Sequence, residues 1–367
     1  MNKKKVLIFG TGRMGRIISK CMSAFGNHVI STDKDPSAAD SLEKPVDFLV
    51  VENEEDYKRS IEICKPDLII SSLPYFLNES IATEAINQEI AYCDLGGSVP
   101  VSDTINKYAE AHAKKPVITD LGLAPGWVNI LAEKGCDSIK EKIIDVKTMV
   151  GGLPDKLHNP PFNYTATWSI DGLINEYIDD CVVFIGNQVV SQRGMDGLEE
   201  VYCRSIDKKL EAFYTSGGAS HSIQSMLDRG VESFCYKTLR YKGHNELIKT
   251  LLKSKVDDDC VKQVFEKVCA PTTHDSRADL VIIKCIVTGE SGKTWDKEFL
   301  IRNRNEVSAM QKATSFGLSS VAQQIINEDI KGGKLSYKDV DYDKFMKNIS
   351  ILIEVFGDPR PLEHDLK

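Results

Sequence analysis

The chain has no run of about 18 apolar residues of the kind that spans a bilayer, and its N-terminus has neither an apolar core segment nor a small-residue cleavage site. A cytoplasmic protein with no membrane partner is expected. Positive charge is not in excess: 46 Lys and Arg stand against 54 Asp and Glu, a net charge of −8. Duplex binding draws on basic side chains that neutralise phosphates, so no nucleic-acid partner is expected. Lys3, Lys4 and Lys5 form the one obvious basic run and lead straight into an apolar stretch, as a solvated strand entry does. The ten cysteines include no CxxC pair and no Cys/His cluster at metal-ligand spacing, which argues against a metal site and for reduced, buried apolar fillers. Internal repeats and low-complexity segments are also missing.

What is present is a globular composition, 42% hydrophobic and 27% charged, on a chain of 367 residues. Single cores stop growing at roughly 250 to 300 residues, so two domains are expected. Short apolar runs at 6–9, 28–31, 46–50, 67–71, 91–94 and 116–119 alternate with helical patterns such as 78–88 and 103–114. Such runs, too short to alternate and separated by helices, are parallel strands buried on both faces. They predict an α/β, doubly wound parallel sheet.

Beyond about residue 125 the pattern turns to hairpins, 181–185 with 188–192 and 279–288 with 294–301, and helices near 217–229, 245–253 and 258–269. These predict a second, α+β domain with a mixed or antiparallel sheet. A long segment rich in small residues, 306–327, reads as a helix packing on the first domain. The expected division is 1–124 for the dinucleotide, 125–305 for substrate and dimerisation, and 306–367 for helices returning to the first domain. A homodimer is expected through the hairpin-rich part.

Gly10-Thr11-Gly12-Arg13-Met14-Gly15 fits GxGxxG, a pattern that context must decide. Here it follows an apolar strand and opens a helical stretch. Gly10 suits the tight turn, Gly12 a close approach of pyrophosphate and Gly15 helix-to-strand packing, with the helix N-terminus facing the phosphates. Asp33 closes the second strand, where a carboxylate accepts ribose hydroxyls and repels a 2′-phosphate. NAD is therefore expected, with NADP disfavoured, on a Rossmann-type domain.

Residues after each strand face the ligand crevice of such a sheet. They are "SSLPYFLN" (71–78), "YCDLGGS" (92–98) and "TDLGLAPGWVN" (119–129). With "GGLP" (151–154), "YTATWSIDGLINEY" (164–177), "LEAFYTSGG" (210–218), "KTLRYKGH" (237–244) and "AMQKATSFG" (309–317), they resemble the saccharopine dehydrogenase family over nearly the whole chain, in order. "GLAPG", in place of a DPG-type segment, is most similar to the lysine 6-dehydrogenase branch.

The resemblance implies NAD-dependent oxidative deamination of an amino-acid side-chain amine, L-lysine at its ε-carbon, with release of ammonia and a semialdehyde that cyclises. It places Leu73, Pro74, Gly96, Ala124 and Pro125 around the nicotinamide and Tyr75, Trp168, Thr215 and Thr238 along the substrate. Arg240 is the expected partner of the α-carboxylate, since its fork matches two oxygens. Proton transfer calls for a carboxylate or histidine, and Asp94, Asp120 and His244 are the candidates; each also suits a structural role. Two alternatives remain open: an NADPH-dependent imine reductase of the saccharopine or carboxynorspermidine type, and a dinucleotide-binding regulator without turnover.

Overall fold

A computed structural model describes residues 3–155, 161–166, 170–253, 258–269, 278–304 and 307–357. The described residues divide into two compact units, one of residues 3–130 with 311–357 and the other within residues 131–310.

The first unit is built on β1 (Lys5–Phe9), β2 (His28–Asp33), β3 (Val46–Val50), β4 (Leu68–Ser71), β5 (Ala91–Asp94) and β6 (Val117–Ile118). They form a parallel sheet in the order β3-β2-β1-β4-β5-β6, the doubly wound Rossmann arrangement. Leu7, Phe9, Ile69 and Tyr92 project from the strands onto Ile61, Ile81, Ile86 and Ile105 of the connecting helices. The helix Glu54–Cys64 starts on an Asn53 cap bonded to Asp56 N and carries Glu54, Glu55 and Asp56 in its first turn, where the helix dipole favours negative charge. Strand order reverses between β1 and β4, so the ends of these two strands flank the switch point.

The chain returns to this unit through the helix Ala309–Ile326, whose small residues let it approach closely: a Cβ on Gly317 would lie 2.9 Å from Gly122 O. Gln311 Nε2 donates to Arg13 O, and Asn27 Nδ2 to Gln323 Oε1. The tail, assigned from the sequence to returning helices, holds a further helix, Tyr342–Val355, capped by Asp341. Phe345 packs edge-on against Trp127, and Phe356 against Phe316.

The second unit is an eight-stranded mixed sheet of β7 (Ile143–Pro154), β8 (Cys181–Ile185), β9 (Gln188–Gln192), β10 (Glu199–Cys203), β11 (Lys208–Tyr214), β12 (Phe234–Arg240), β13 (Asp279–Gly289) and β14 (Thr294–Arg302). β7 pairs parallel with β12 and antiparallel with β13. Sequence pattern missed β7, because Gly151 and Gly152 interrupt it and a strand buried on both faces shows no alternation. Gly151 is there for close approach: a Cβ would come 2.9 Å from Leu239 Cβ. Alternation along β11 and β12 sends Leu210, Ala212 and Leu239 into one apolar cluster and Phe213 into another with Tyr164, Leu173, Tyr177, Ile248 and Phe265. Thr238 and Arg240 share that second face. No helix among the described residues is long and apolar enough to cross a membrane.

Candidate functional site

In the first unit the glycine loop is fixed from within at two of its three glycines. Gly10 has φ +90 and donates to Thr32 O at 2.9 Å; a Cβ on Gly15 would stand 1.8 Å from Gly10 O. Gly12 differs: its added Cβ would meet nothing within 4 Å, and its φ lies outside the left-handed region. Nothing in the fold requires glycine at Gly12, whereas a phosphate seated on the loop does, so the cradle fits a dinucleotide. Exposed Arg13 and half-buried Met14 follow, and the helix Gly15–Ala24 begins there. Thr11 turns inward, its hydroxyl donating to Thr32 O at 3.0 Å. Asp33 accepts from Thr11 N at 2.8 Å and from Asp35 N at 3.1 Å. One lone pair on each oxygen is thereby used, and a second remains for a ribose hydroxyl.

Leu73, Pro74 and Tyr75 follow β4. Leu73 Cδ2 is 3.0 Å from where a Cβ on Gly10 would stand, and Tyr75 is exposed, edge-on to Phe76 and beside Gly97. Gly96 must be glycine, since its Cβ would lie 2.1 Å from Asp120 Oδ1. Half-buried Ala124 and Pro125 are joined by a cis peptide bond in the loop that Gly122 and Gly126 close.

Asp94 and Asp120 meet at the ends of β5 and β6. Asp94 is 0% exposed; its Oδ1 accepts from Gly96 N at 2.8 Å and Asp120 N at 3.0 Å, and its Oδ2 from Tyr92 Oη at 2.9 Å. Asp120, at φ 61, accepts from Ser102 Oγ at 2.7 Å. Burial first, then the neighbouring Asp120 charge, push the Asp94 carboxyl up to about 7. The direct work of Asp94 is to tie two loops together.

In the second unit Arg240 is buried beneath the helix Ile170–Ile178. Its Nε donates to Tyr177 Oη at 2.9 Å and its Nη1 to Leu239 O at 2.9 Å, while its plane lies 4.7 Å from the Tyr164 ring centre. No bond to Nη2 occurs among the described residues. Tyr177 Oη–H donates to His244 Nε2 at 2.9 Å, and His244 Nδ1–H donates to Phe162 O at 2.7 Å; the tautomer follows from this network. His244 is 0% exposed, and burial, followed by the Arg240 charge, drives its pKa down to about 3. His244 stays neutral with both nitrogens engaged and positions Tyr177 and, through it, Arg240. Thr215 and Thr238 are buried and bond each other, Oγ1 to Oγ1, at 2.7 Å. Trp168 lies outside the described residues.

Residues 122–350 match the saccharopine dehydrogenase C-terminal domain. The chain belongs to that family. It is 28% identical over 387 aligned residues to the bovine (Bos taurus) mitochondrial alpha-aminoadipic semialdehyde synthase, covering 99% of this chain and 40% of that protein. The rat (Rattus norvegicus) counterpart is 26% identical over 270 residues, 68% of this chain and 28% of its own length. A saccharopine dehydrogenase [NADP(+), L-glutamate-forming] of Pyricularia oryzae is 25% identical over 181 residues, 47% of this chain and 40% of that one. The chain thus spans 28 to 40% of the length of these curated relatives. Among solved structures, apo saccharopine dehydrogenase (L-Glu forming) of Saccharomyces cerevisiae superposes with a TM-score of 0.70 at 16% identity, covering 96% of this chain and 98% of that one; this likeness shows the fold.

Sequence reasoning passed over three side chains of this saccharopine dehydrogenase family member: Tyr92, Tyr177 and Glu176. A tyrosine within an apolar strand or helix reads as core, and only the fold reveals which acid or base its hydroxyl meets. Glu176 left a faint signal, a lone carboxylate in the apolar run "LINEYI".

Proposed function

We propose that the protein is an NAD(P)-dependent oxidoreductase acting on a carbon–nitrogen bond of an amino acid, with NAD as the cofactor and L-lysine, oxidised at the ε-carbon, as the substrate. The observation that carries this reading is Arg240, a buried guanidinium whose Nη2 has no partner among the described residues, because a dinucleotide-binding regulator has no need of a desolvated carboxylate anchor. Family membership supports the reaction class, and Asp33 supports NAD over NADP.

Gly10, Gly12, Gly15 and Asp33 would hold the dinucleotide, which when bound supplies a hydride acceptor. The amine must lose a proton before the ε-C–H bond breaks. The resulting iminium adds water and releases ammonia, leaving the semialdehyde, which closes on the α-amine to piperideine-6-carboxylate. Asp120, held by Ser102 and backed by Asp94, is the proton acceptor in this reading. The apolar walls beside Arg240, Tyr164 among them, suit a methylene chain and exclude water.

The test is NADH formation with L-lysine and NAD, compared with the same assay on saccharopine and NADP. Lysine turnover that Asp120→Asn abolishes while NAD still binds supports the reading. Turnover of saccharopine with NADP and none of lysine would establish the second reading, a saccharopine-type enzyme, which the names of the relatives favour. NAD binding without turnover of either compound would leave a regulator.

A further inference from the structure

We infer that Glu176 receives the α-ammonium group of the substrate, beside Arg240 as the carboxylate anchor. The inference rests on the amino-acid reading above and adds to it the group that recognises the other half of the zwitterion.

Glu176 sits in the last turn of the helix Ile170–Ile178, one residue before Tyr177, whose hydroxyl holds Arg240 Nε. Both neighbouring backbone carbonyls pin that turn to the loop after β11: Ser216 N donates to Glu176 O at 3.1 Å and Ser216 Oγ to Asn175 O at 3.3 Å. The same loop carries Thr215, bonded to Thr238 on β12. Glu176, Arg240, Thr215 and Thr238 are therefore positioned by one connected set of bonds within the second unit.

The Glu176 carboxylate is half-buried and makes no hydrogen bond or ion pair among the described residues. A part-buried carboxylate near a buried guanidinium gains most by closing an ion pair with it, since each charge alone is poorly solvated. This pair stays open. Arg240 is turned instead to Tyr177 and Leu239 O, and its Nη2 has no partner among the described residues. An anion and a cation fixed near each other but not joined are complementary to a ligand bearing both opposite charges on one carbon, an α-amino acid.

Among the described residues, the charged and titratable groups that feel Glu176 are Arg240 and Tyr236 of β12, Tyr177 on its own helix and Cys181 at the start of β8. Burial raises the carboxyl to about 7 against the opposing pull of Arg240. An arriving ammonium adds a second positive charge and favours the ionised form, so binding near neutral pH releases a proton.

Calorimetry on the full chain with NADH present tests this with three ligands: L-lysine, 6-aminohexanoate, which lacks the α-ammonium, and pentane-1,5-diamine, which lacks the carboxylate. Glu176→Gln should weaken lysine by about tenfold or more and leave 6-aminohexanoate unchanged, while Arg240→Lys weakens both acids and spares the diamine. Wild type should release a proton on binding lysine near pH 7, read from the dependence of the heat on buffer ionisation, and Glu176→Gln should not. Equal losses for lysine and 6-aminohexanoate in Glu176→Gln would overturn the inference, since they would mark a role at the ε-amine or in the fold. Unchanged lysine affinity would overturn it as well. A wild-type chain that binds none of the three overturns the amino-acid reading and this inference with it, an outcome distinct from an indifferent Glu176 variant.

Discussion

Three glycines of one loop do two different jobs. Gly15 has no room for a methyl group, whereas Gly12 has open space beside it. Gly15→Ala should therefore destabilise the fold by overpacking, by about 1–3 kcal/mol. Gly12→Val should leave the melting temperature within about 2 °C and raise the Kd for NAD by about tenfold or more, read by calorimetry and thermal unfolding. Asp94 makes the second case at this scale. A carboxyl whose folded pKa is raised contributes stability that is fully present below its unfolded value, about 3.9, and lost as pH rises through the folded value of about 7. Asp94→Asn has no such proton to lose, so its stability relative to wild type should climb between pH 4 and 7 by about 2–4 kcal/mol and then level off. Denaturant melts across that window measure the slope; a flat difference would mean that Asp94 ionises freely in the fold. Neither residue's behaviour is legible in sequence, because spacing identifies a glycine loop or a strand-end acid and says nothing of which atoms stand against it.

At the level of elements, periodicity served best where strands are short and buried or where hairpins alternate. Leu68–Ser71, Ala91–Asp94 and the pair Cys181–Ile185 and Gln188–Gln192 lie where the residue pattern put them. The pattern failed for β7, whose residues 148–154 are all buried, and it left unbounded the C-terminal helix Tyr342–Val355, where Phe345, Ile349, Leu352 and Ile353 carry a helical stripe that charged neighbours obscured. Polar residues in strands deceived in another way. Lys284 and Glu298 face each other across β13 and β14, both buried, with Lys284 Nζ 3.0 Å from Glu298 Oε2 and 2.9 Å from Asp296 Oδ1. Lys284→Met would strand Glu298 without its cation and should cost about 3–5 kcal/mol; Lys284→Met with Glu298→Leu should recover much of that loss in thermal melts.

At the scale of the whole molecule, the chain leaves its first unit and comes back, and both crossings, 130–131 and 310–311, fall inside helices and not in linkers. A ligand that binds only the folded state stabilises it by RT ln(1 + [L]/Kd), about 2.7 kcal/mol at a hundredfold excess over Kd. NAD should accordingly raise the melting temperature at concentrations where NADP does not, and Asp33→Arg should reverse that order; an unchanged order would remove Asp33 as the selecting group. The sequence by itself determined the doubly wound first domain, the glycine loop and its acid, and the likeness to the family, because these depend on local spacing and on the order of short motifs along the chain. Only the tertiary structure decided that His244 is neutral, that Asp94 ties two loops, and that Arg240 and Glu176 stay unjoined. Burial and hydrogen-bond partners arise from residues far apart in the chain, and those partners fix the charge and the work of each side chain.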